Sequence, residues 1–281
     1  MKTVFILKEG VMKHNIRCCI LDWAGTTVDF GCFAPVSAFQ TVFQRRGIDI
    51  TTDQIRPFMG IEKKEHIKAL CFLPDIAEQW KWLYGSAPDE DDIHILYREF
   101  QPTLISLITR YAELIPEVQE TVSALQKKGI AIGSTTGYTR VIMDILAPRA
   151  AAQGYTPDCL VTPTEVPRGR PAPWMIYRNC EHLNIWPPSS VLKVGDTTVD
   201  IASGIHAGAW TVGIIAGSSE LGLSRTELAA LSFTKREKMF SSVRDRFYTA
   251  GAHFVIDTFS ELPKILHRIT EEMEIRQSVQ L

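Results

Sequence analysis

The sequence predicts an α/β protein: a Rossmann-like, doubly wound parallel sheet with a mostly helical cap domain inserted after the first strand. Three observations carry the prediction. From Pro116 onward, short apolar runs alternate with amphipathic stretches of helical spacing, the pattern of strand, crossover helix and parallel strand. Another apolar run, 16–21, stands far upstream, and nothing between Phe33 and Tyr111 reads as a strand. Several of these runs stop at acidic or hydroxyl residues, and the carboxyl ends of strands are where an open parallel sheet collects its ligands. The expected division is an N-terminal tail over 1–15, a core built from 16–32 and 112–281, and a cap over 33–111.

In chain order, 16–21 is a buried strand that ends at Asp22, and a small, hydroxyl-rich turn, Ala24-Gly25-Thr26-Thr27, follows it. Val36, Phe39, Val42 and Phe43 recur at helical spacing within 33–46, and Gly47 closes that helix. Residues 48–53 lead into a second, capped helical stretch that ends near Pro57. The stretch 60–72 is amphipathic and is broken by Pro74 and Asp75; 76–84 and 89–108 are helical, the latter with an acidic first turn. Further helices are expected over 117–128, from Arg140, over 174–183 and over 201–207. Strands are expected at 130–134, 159–162, 191–194, 210–215 and 254–256. A charged helical stretch, 221–248, has no assignable role, and there is no internal repeat.

With 281 residues, 45% of them hydrophobic, the chain can bury a large core. A net charge of −2 lacks the basic face that nucleic acid binding wants. No apolar run approaches the roughly 18 residues of a membrane span. Neither nucleic acid nor membrane is therefore an expected partner. The apolar patch at 4–7 is too short for a secretory signal. The six cysteines show no C-x-x-C spacing, and Cys18 and Cys19 are neighbours in a strand, which suits buried thiols in a reduced, cytoplasmic protein.

Four strand ends carry groups fit for phosphoryl chemistry: Asp22, the Thr135/Thr136 doublet, Arg170 in an Arg-Gly-Arg-Pro loop, and Asp196 with Asp200 four residues on. Each has a plainer reading. Asp22 could cap a helix, the threonines could bond their own turn, Arg170 could be a surface charge, and Asp196 and Asp200 could be a cap and a first-turn acid. One functional reading explains all four at once. Two carboxylates in one crevice repel unless a cation lies between them, and Mg²⁺, a hard ion, suits carboxylate and substrate oxygens. A hydroxyl and a planar guanidinium would hold the remaining oxygens of a phosphoryl group. Asp22 could then attack phosphorus and form an aspartyl-phosphate.

In order and spacing, D-x-x-G-T-T at 22–27, the Ser/Thr-ended second strand, the basic third motif and G-D-x-x-x-D at 195–200 resemble the haloacid dehalogenase superfamily. The helical insert resembles that superfamily's mobile cap. One position departs from its phosphatases, which place a second Asp two residues after the nucleophile to protonate the leaving oxygen. Here that position is Ala24, which removes a term typically worth about 10²–10⁴ in rate. A leaving group that departs as a stabilised carbanion needs no such acid if an electron sink awaits it, and a protonated lysine imine is such a sink. Lys63 and His66 share a helix face with Ile67, whereas Lys64 and Lys68 lie on another; alone, the Glu-Lys-Lys-Glu-His run reads as a charged helix surface.

A closer resemblance weighs against that plain reading. The chain is very similar to the phosphonoacetaldehyde hydrolase (phosphonatase) family over 22–35, in P-x-M-G-x-x-K-x-x-H at 57–66, and over 133–140, 169–175, 193–197, 207–213 and 251–257. The resemblance implies a hydrolase that cleaves the carbon–phosphorus bond of phosphonoacetaldehyde, giving acetaldehyde and phosphate in 2-aminoethylphosphonate degradation. By the family's pattern Lys63 is the Schiff-base lysine and Asp22 the nucleophile. Mg²⁺ is held by Asp22, the Ala24 carbonyl and Asp196, while Thr136 or Thr135 binds the phosphonate with Arg170. Met59, His66, Cys32, Tyr138 and Asp200 are supporting residues, and a homodimer is implied. The competing reading is a phosphatase or phosphomutase of the same superfamily acting on a small phosphorylated metabolite.

Overall fold

The computed structural model describes residues 16–280, so the expected tail over 1–15 lies outside the described residues. Six strands, β1 (Cys18–Leu21), β2 (Ala131–Thr135), β3 (Cys159–Val161), β4 (Val191–Gly195), β5 (Trp210–Ile214) and β6 (Phe254–Ile256), form one sheet in the order β3-β2-β1-β4-β5-β6. Every pairing is parallel. The strands are apolar along their length because both faces are covered. Cys19 and Leu21 of β1 join one apolar cluster, while Cys18 and Ile20 join another. The doubly wound α/β prediction therefore holds.

Within the insert between residues 33 and 111 the chain makes five α-helices: α1 (Phe33–Gln44), α2 (Thr52–Ile55), α3 (Lys63–Cys71), α4 (Pro74–Tyr84) and α5 (Glu90–Ile108). Helix α5 packs on α1 and α3. Pro74 is less a breaker than a starter: it stands at the first position of α4, where its missing N–H costs nothing. Asp89 caps α5, accepting the Asp92 N–H at 3.0 Å. The predicted stretch 60–72 shortens to α3 because Gly60, at φ +90°, turns the chain and Glu62 becomes the cap residue.

Helices α6 (Val118–Lys127), α7 (Arg140–Ala151), α8 (Trp174–Leu183) and α9 (Thr198–Ala207) cross between the strands of the sheet. The charged stretch 221–248 divides into α10 (Arg225–Ala230) and α11 (Phe233–Thr249), because Ser224 and Ser232 each cap a new helix. A last helix, α12 (Leu262–Gln280), has no counterpart among the predicted elements. It buries Leu262, Ile265, Leu266, Ile269 and Met273 in the main core, an amphipathic spacing interrupted by acidic residues.

In this strand order the chain direction of succession reverses between β1 and β4, and the crevice outside their carboxyl ends is the natural ligand position.

Candidate active site

Register brings the first two carboxylates together. Leu21 of β1 pairs with Val194 of β4, so Asp22 and Asp196 leave adjacent strands within a residue of the same level. The Asp22 N–H donates to Val194 O at 3.0 Å and fixes that level. The following turn closes on Trp23 O, which accepts the Thr26, Thr27 and Val28 N–H groups at 3.1, 2.7 and 3.0 Å. Thr27 Oγ1 donates to Asp22 O at 3.0 Å. Gly25 is required here: at φ +85°, a Cβ on it would lie 2.2 Å from Asp196 Oδ2. That oxygen accepts the Ser219 N–H at 2.8 Å.

Asp200 follows one turn into α9, whose cap is Thr197 and not Asp196. Its Oδ2 accepts from Thr197 Oγ1 at 2.7 Å, and its Oδ1 is shared by Arg170 and by Lys193 Nζ at 2.8 Å. Arg170 Nη1 also stands 3.0 Å from Asp22 Oδ1 as an ion pair, though its aligned hydrogen bond goes to Asp200. All these groups are buried. Burial alone would raise Asp200, but Arg170 and Lys193 outweigh it and hold the carboxyl down to about 2. Asp22 is pushed up by burial, against the pull of Arg170. Asp196 is pushed up further, by burial and then by its acidic neighbours Asp22 and Asp200.

This donor set fits a hard divalent cation. Oxygens of Asp22, Asp196 and Asp200 lie within 4.8 Å of one another, all buried. Asp22 Oδ1 accepts no hydrogen bond, whereas both oxygens of Asp200 are already engaged. Asp22 and Asp196 are thus the pair left to a metal, and their raised titration is the strain a cation would relieve.

The helical insert supplies the opposite wall. Asp22, Ala24, Cys32, Met59, Gly60, Lys63, Thr136, Tyr138, Arg170, Asp196 and Thr197 line one narrow cavity, with Pro35 and Gly137. The space open to the centre of a water-sized sphere is about 30 Å³, room for about two waters. A Cβ on Gly60 would meet Thr197 Oγ1 at 2.6 Å, so only glycine lets the insert approach this closely.

Lys63 is the first residue of α3 and only 7% exposed, with its Nζ 5.8 Å from the Phe39 ring centroid. Burial pulls its ammonium from 10.5 down to about 8; the Arg170 charge acts the same way, and Asp22 and Asp196 act against it. His66 is buried one turn on, packed at a tilt against Phe39 with 4.1 Å between ring centroids, and does not line the cavity. Its Nε2 is 2.9 Å from Ile55 O, which leaves Nε2 as the donor and Nδ1 as an unpartnered, unprotonated nitrogen. Burial and the Lys63 charge hold it well below the usual histidine range, and so neutral. Burial raises the Cys32 thiol and the Tyr138 phenol, and the Tyr138 hydroxyl has no partner. Of the threonine doublet, Thr136 lines the cavity and its Oγ1 accepts the Tyr138 N–H at 3.0 Å; Thr135 is buried behind it.

Three residues that sequence reasoning passed over belong to this arrangement. Lys193, fully buried in an otherwise apolar strand, neutralises Asp200. A lone lysine inside an apolar strand run was the available signal. Thr197 orients Asp200 and meets Gly60. Arg56 ties the insert to the loop that carries Ser219, which no local pattern announces.

Comparison with known proteins places the chain. Residues 16–208 match the model of the haloacid dehalogenase-like hydrolase family. The chain is 48% identical over 258 residues to a phosphonoacetaldehyde hydrolase of Bacillus cereus, covering 92% of this chain and 98% of that protein. It is 49% identical over 264 residues to a bifunctional phosphonoacetaldehyde hydrolase/aminoethylphosphonate transaminase of Clostridioides difficile, covering 94% of this chain and 42% of that one. A crystal structure of a phosphonoacetaldehyde hydrolase-like protein from Oleispira antarctica superposes with a TM-score of 0.89 at 38% identity, covering 91% and 93% of the two chains.

Proposed function

Because this chain belongs to the haloacid dehalogenase-like hydrolases, and within them to the phosphonoacetaldehyde hydrolase family, we propose that it hydrolyses the carbon–phosphorus bond of phosphonoacetaldehyde to acetaldehyde and phosphate. The observation that carries this reading is the company kept in one cavity: a lysine lowered to about 8, a strand-end aspartate, and an alanine where a phosphatase needs its acid. The step belongs to breakdown of 2-aminoethylphosphonate, in keeping with the transaminase fused to the hydrolase in the Clostridioides relative.

In this mechanism Lys63 gives up its ammonium proton and adds to the aldehyde carbon, and that proton together with one from the amine nitrogen leaves with the carbonyl oxygen as water, giving a protonated imine. His66, buried one turn along α3 from Lys63, is a supporting residue whose packing on Phe39 fixes that helix face. Arg170 and Thr136 hold phosphonate oxygens and aim phosphorus at Asp22. An Asp22 oxygen attacks phosphorus opposite the C–P bond, and that bond's electrons flow into the imine. The products are an enamine on Lys63 and an aspartyl-phosphate on Asp22. Protonation at carbon and addition of water release acetaldehyde and restore the lysine. A second water cleaves the aspartyl-phosphate and releases phosphate.

Mg²⁺, held by Asp22, the Ala24 carbonyl and Asp196, would supply positive charge that lets the carboxylate approach an anionic phosphonate. The 33–111 insert acts as the cap, and its closure excludes bulk water. Met59, Cys32 and Tyr138 shape the aldehyde end of the cavity, and Asp200 positions Arg170. A homodimer is part of this reading; Phe72, Trp82 and Tyr84 expose apolar surface on the cap for it. So is a cytoplasmic location, supported by six free, buried cysteines. Among the described residues no helix is long and apolar enough to cross a membrane.

The test is release of phosphate and acetaldehyde from phosphonoacetaldehyde by the purified protein, with Mg²⁺ and with chelator. Equal yields of both products, dependent on Mg²⁺, are expected. No release, or comparable kcat/KM on sugar phosphates, would return the assignment to a phosphatase or phosphomutase.

A further inference from the structure

We propose that Arg56 is a positioning residue for this reaction: it latches the closed cap onto the 217–222 loop and, through Ser219, orients Asp196. The proposal rests on the cap and metal roles assigned above.

Arg56 opens the single turn Arg56–Phe58, directly ahead of Met59, Gly60 and Lys63. Its guanidinium does not stay on the cap. Nη1 donates to Ser219 O at 3.1 Å and to Gly31 O at 3.0 Å, and Nη2 donates to Gly222 O at 3.2 Å. The group also lies 5.1 Å from the Phe33 ring centroid. Among the described residues it makes no ion pair, so main-chain carbonyls hold its charge. Gly222 makes room for it: a Cβ there would lie 2.7 Å from Arg56 Nε. A planar fork can grip carbonyls from two separate segments at once, which a lysine ammonium cannot do with the same geometry.

The gripped loop has a second engagement. Ser219 is held from both sides, its carbonyl by Arg56 and its N–H by Asp196 Oδ2 at 2.8 Å. The loop between them is stiff, with Gly222 N–H donating to Ser218 O and Leu221 N–H to Ser218 Oγ, both at 2.9 Å. One residue therefore joins the cap's position to the aim of a metal-facing carboxylate. The Gly31 carbonyl adds the strap between core and cap, one residue before cavity-lining Cys32. These bonds cross from cap to core and exist only when the cap is down, so they favour the closed state by differential contact. Opening the cap frees Ser219 and loosens Asp196, which couples product release to a relaxed metal site.

The experiment compares wild type, Arg56→Ala and Arg56→Lys as full-length protein. It reads Mg²⁺ affinity by calorimetry and hydrogen exchange of the 217–222 peptide with Mg²⁺ and phosphate bound. Loss of an outer-shell partner typically weakens metal binding by about 10–100-fold, and Arg56→Ala should fall in or just below that range. Exchange in 217–222 should quicken, and kcat/KM should drop at least about tenfold. Arg56→Lys, with one charge but no fork, should recover part of each effect. If both variants fold and keep wild-type Mg²⁺ affinity and wild-type exchange in 217–222, the latch is overturned. The same holds if only their melting temperature moves, since that marks a purely structural residue. Neither of the two binding readouts uses phosphonoacetaldehyde, so an inactive wild type would remove the substrate assignment and leave this test standing.

Discussion

Replacing Lys63 with Met should make the protein more stable while ending its turnover. The substitution removes one buried ammonium and keeps a flexible apolar side chain of similar length. Lys63 is 7% exposed, and burial draws its titration from 10.5 to about 8. At about 1.4 kcal/mol per factor of ten, that depression amounts to at most about 3.5 kcal/mol. The sign follows from linkage. The folded lysine gives up its proton more readily than the unfolded one, so the charged form is penalised in the native state. The penalty is full below about pH 8, fades as pH rises from 8 toward 10.5, and is gone once both states are neutral. Cap opening offers a partial escape, because Lys63 is buried between insert and core, so the observed gain should be roughly 1–3 kcal/mol near neutral pH. Urea unfolding of both proteins across this pH range reads the difference directly. Lys63→Met should be the more stable below pH 8, with the two curves converging above it. A variant less stable than wild type at neutral pH, or a gain that does not change with pH, would refute the reasoning.

Asp22→Asn should lose phosphate release while Lys63 still forms an imine that borohydride traps; retained phosphate release would remove the nucleophile from Asp22. Gly60→Ala would place a Cβ 2.6 Å from Thr197 Oγ1 at φ +90°, and should lower kcat/KM at least about tenfold by holding the cap open. Unchanged kcat/KM would show that closure does not depend on that approach. Arg170→Ala leaves Asp22 and Asp200 buried without the guanidinium between them, and should cost about 3–5 kcal/mol in urea unfolding at neutral pH. Because Arg170 helps hold Asp200 down to about 2, wild-type stability from this pair is present above the usual 3.8 and lost as pH falls toward 2. The variant should show less of that acid dependence, and an unaltered acid limb would argue against the pairing.

The sheet was legible because parallel strands covered on both faces become uninterrupted apolar runs, and the residue that ends each run is the one that faces the crevice. That logic found Asp22, Asp196 and the threonine doublet without any tertiary information. The face shared by Lys63, His66 and Ile67 was also legible from spacing, and all three are buried. Their burial was not legible, because Glu-Lys-Lys-Glu-His has the composition of a solvated surface. What buries Lys63 is the packing of the insert over the strand ends, a contact between segments distant in sequence. Lys193 was hidden for a similar reason. Its partner Asp200 lies seven residues on and faces it only once α9 folds back along β4. Arg56 and Ser219 are farther apart still, at 163 residues. Helix α12, by contrast, was readable at 262, 265, 266, 269 and 273, and its acidic residues obscured a regular apolar stripe.

The central claim is that Lys63 carries the substrate carbon while Asp22 takes the phosphorus. Borohydride quenching during turnover of phosphonoacetaldehyde with Mg²⁺, followed by mass spectrometry of the peptide containing residues 63–68, tests it most directly. The account predicts an N-ethyl group on Lys63 and none on Lys64 or Lys68. Full turnover with Lys63 unmodified, or an adduct confined to another lysine, would contradict it.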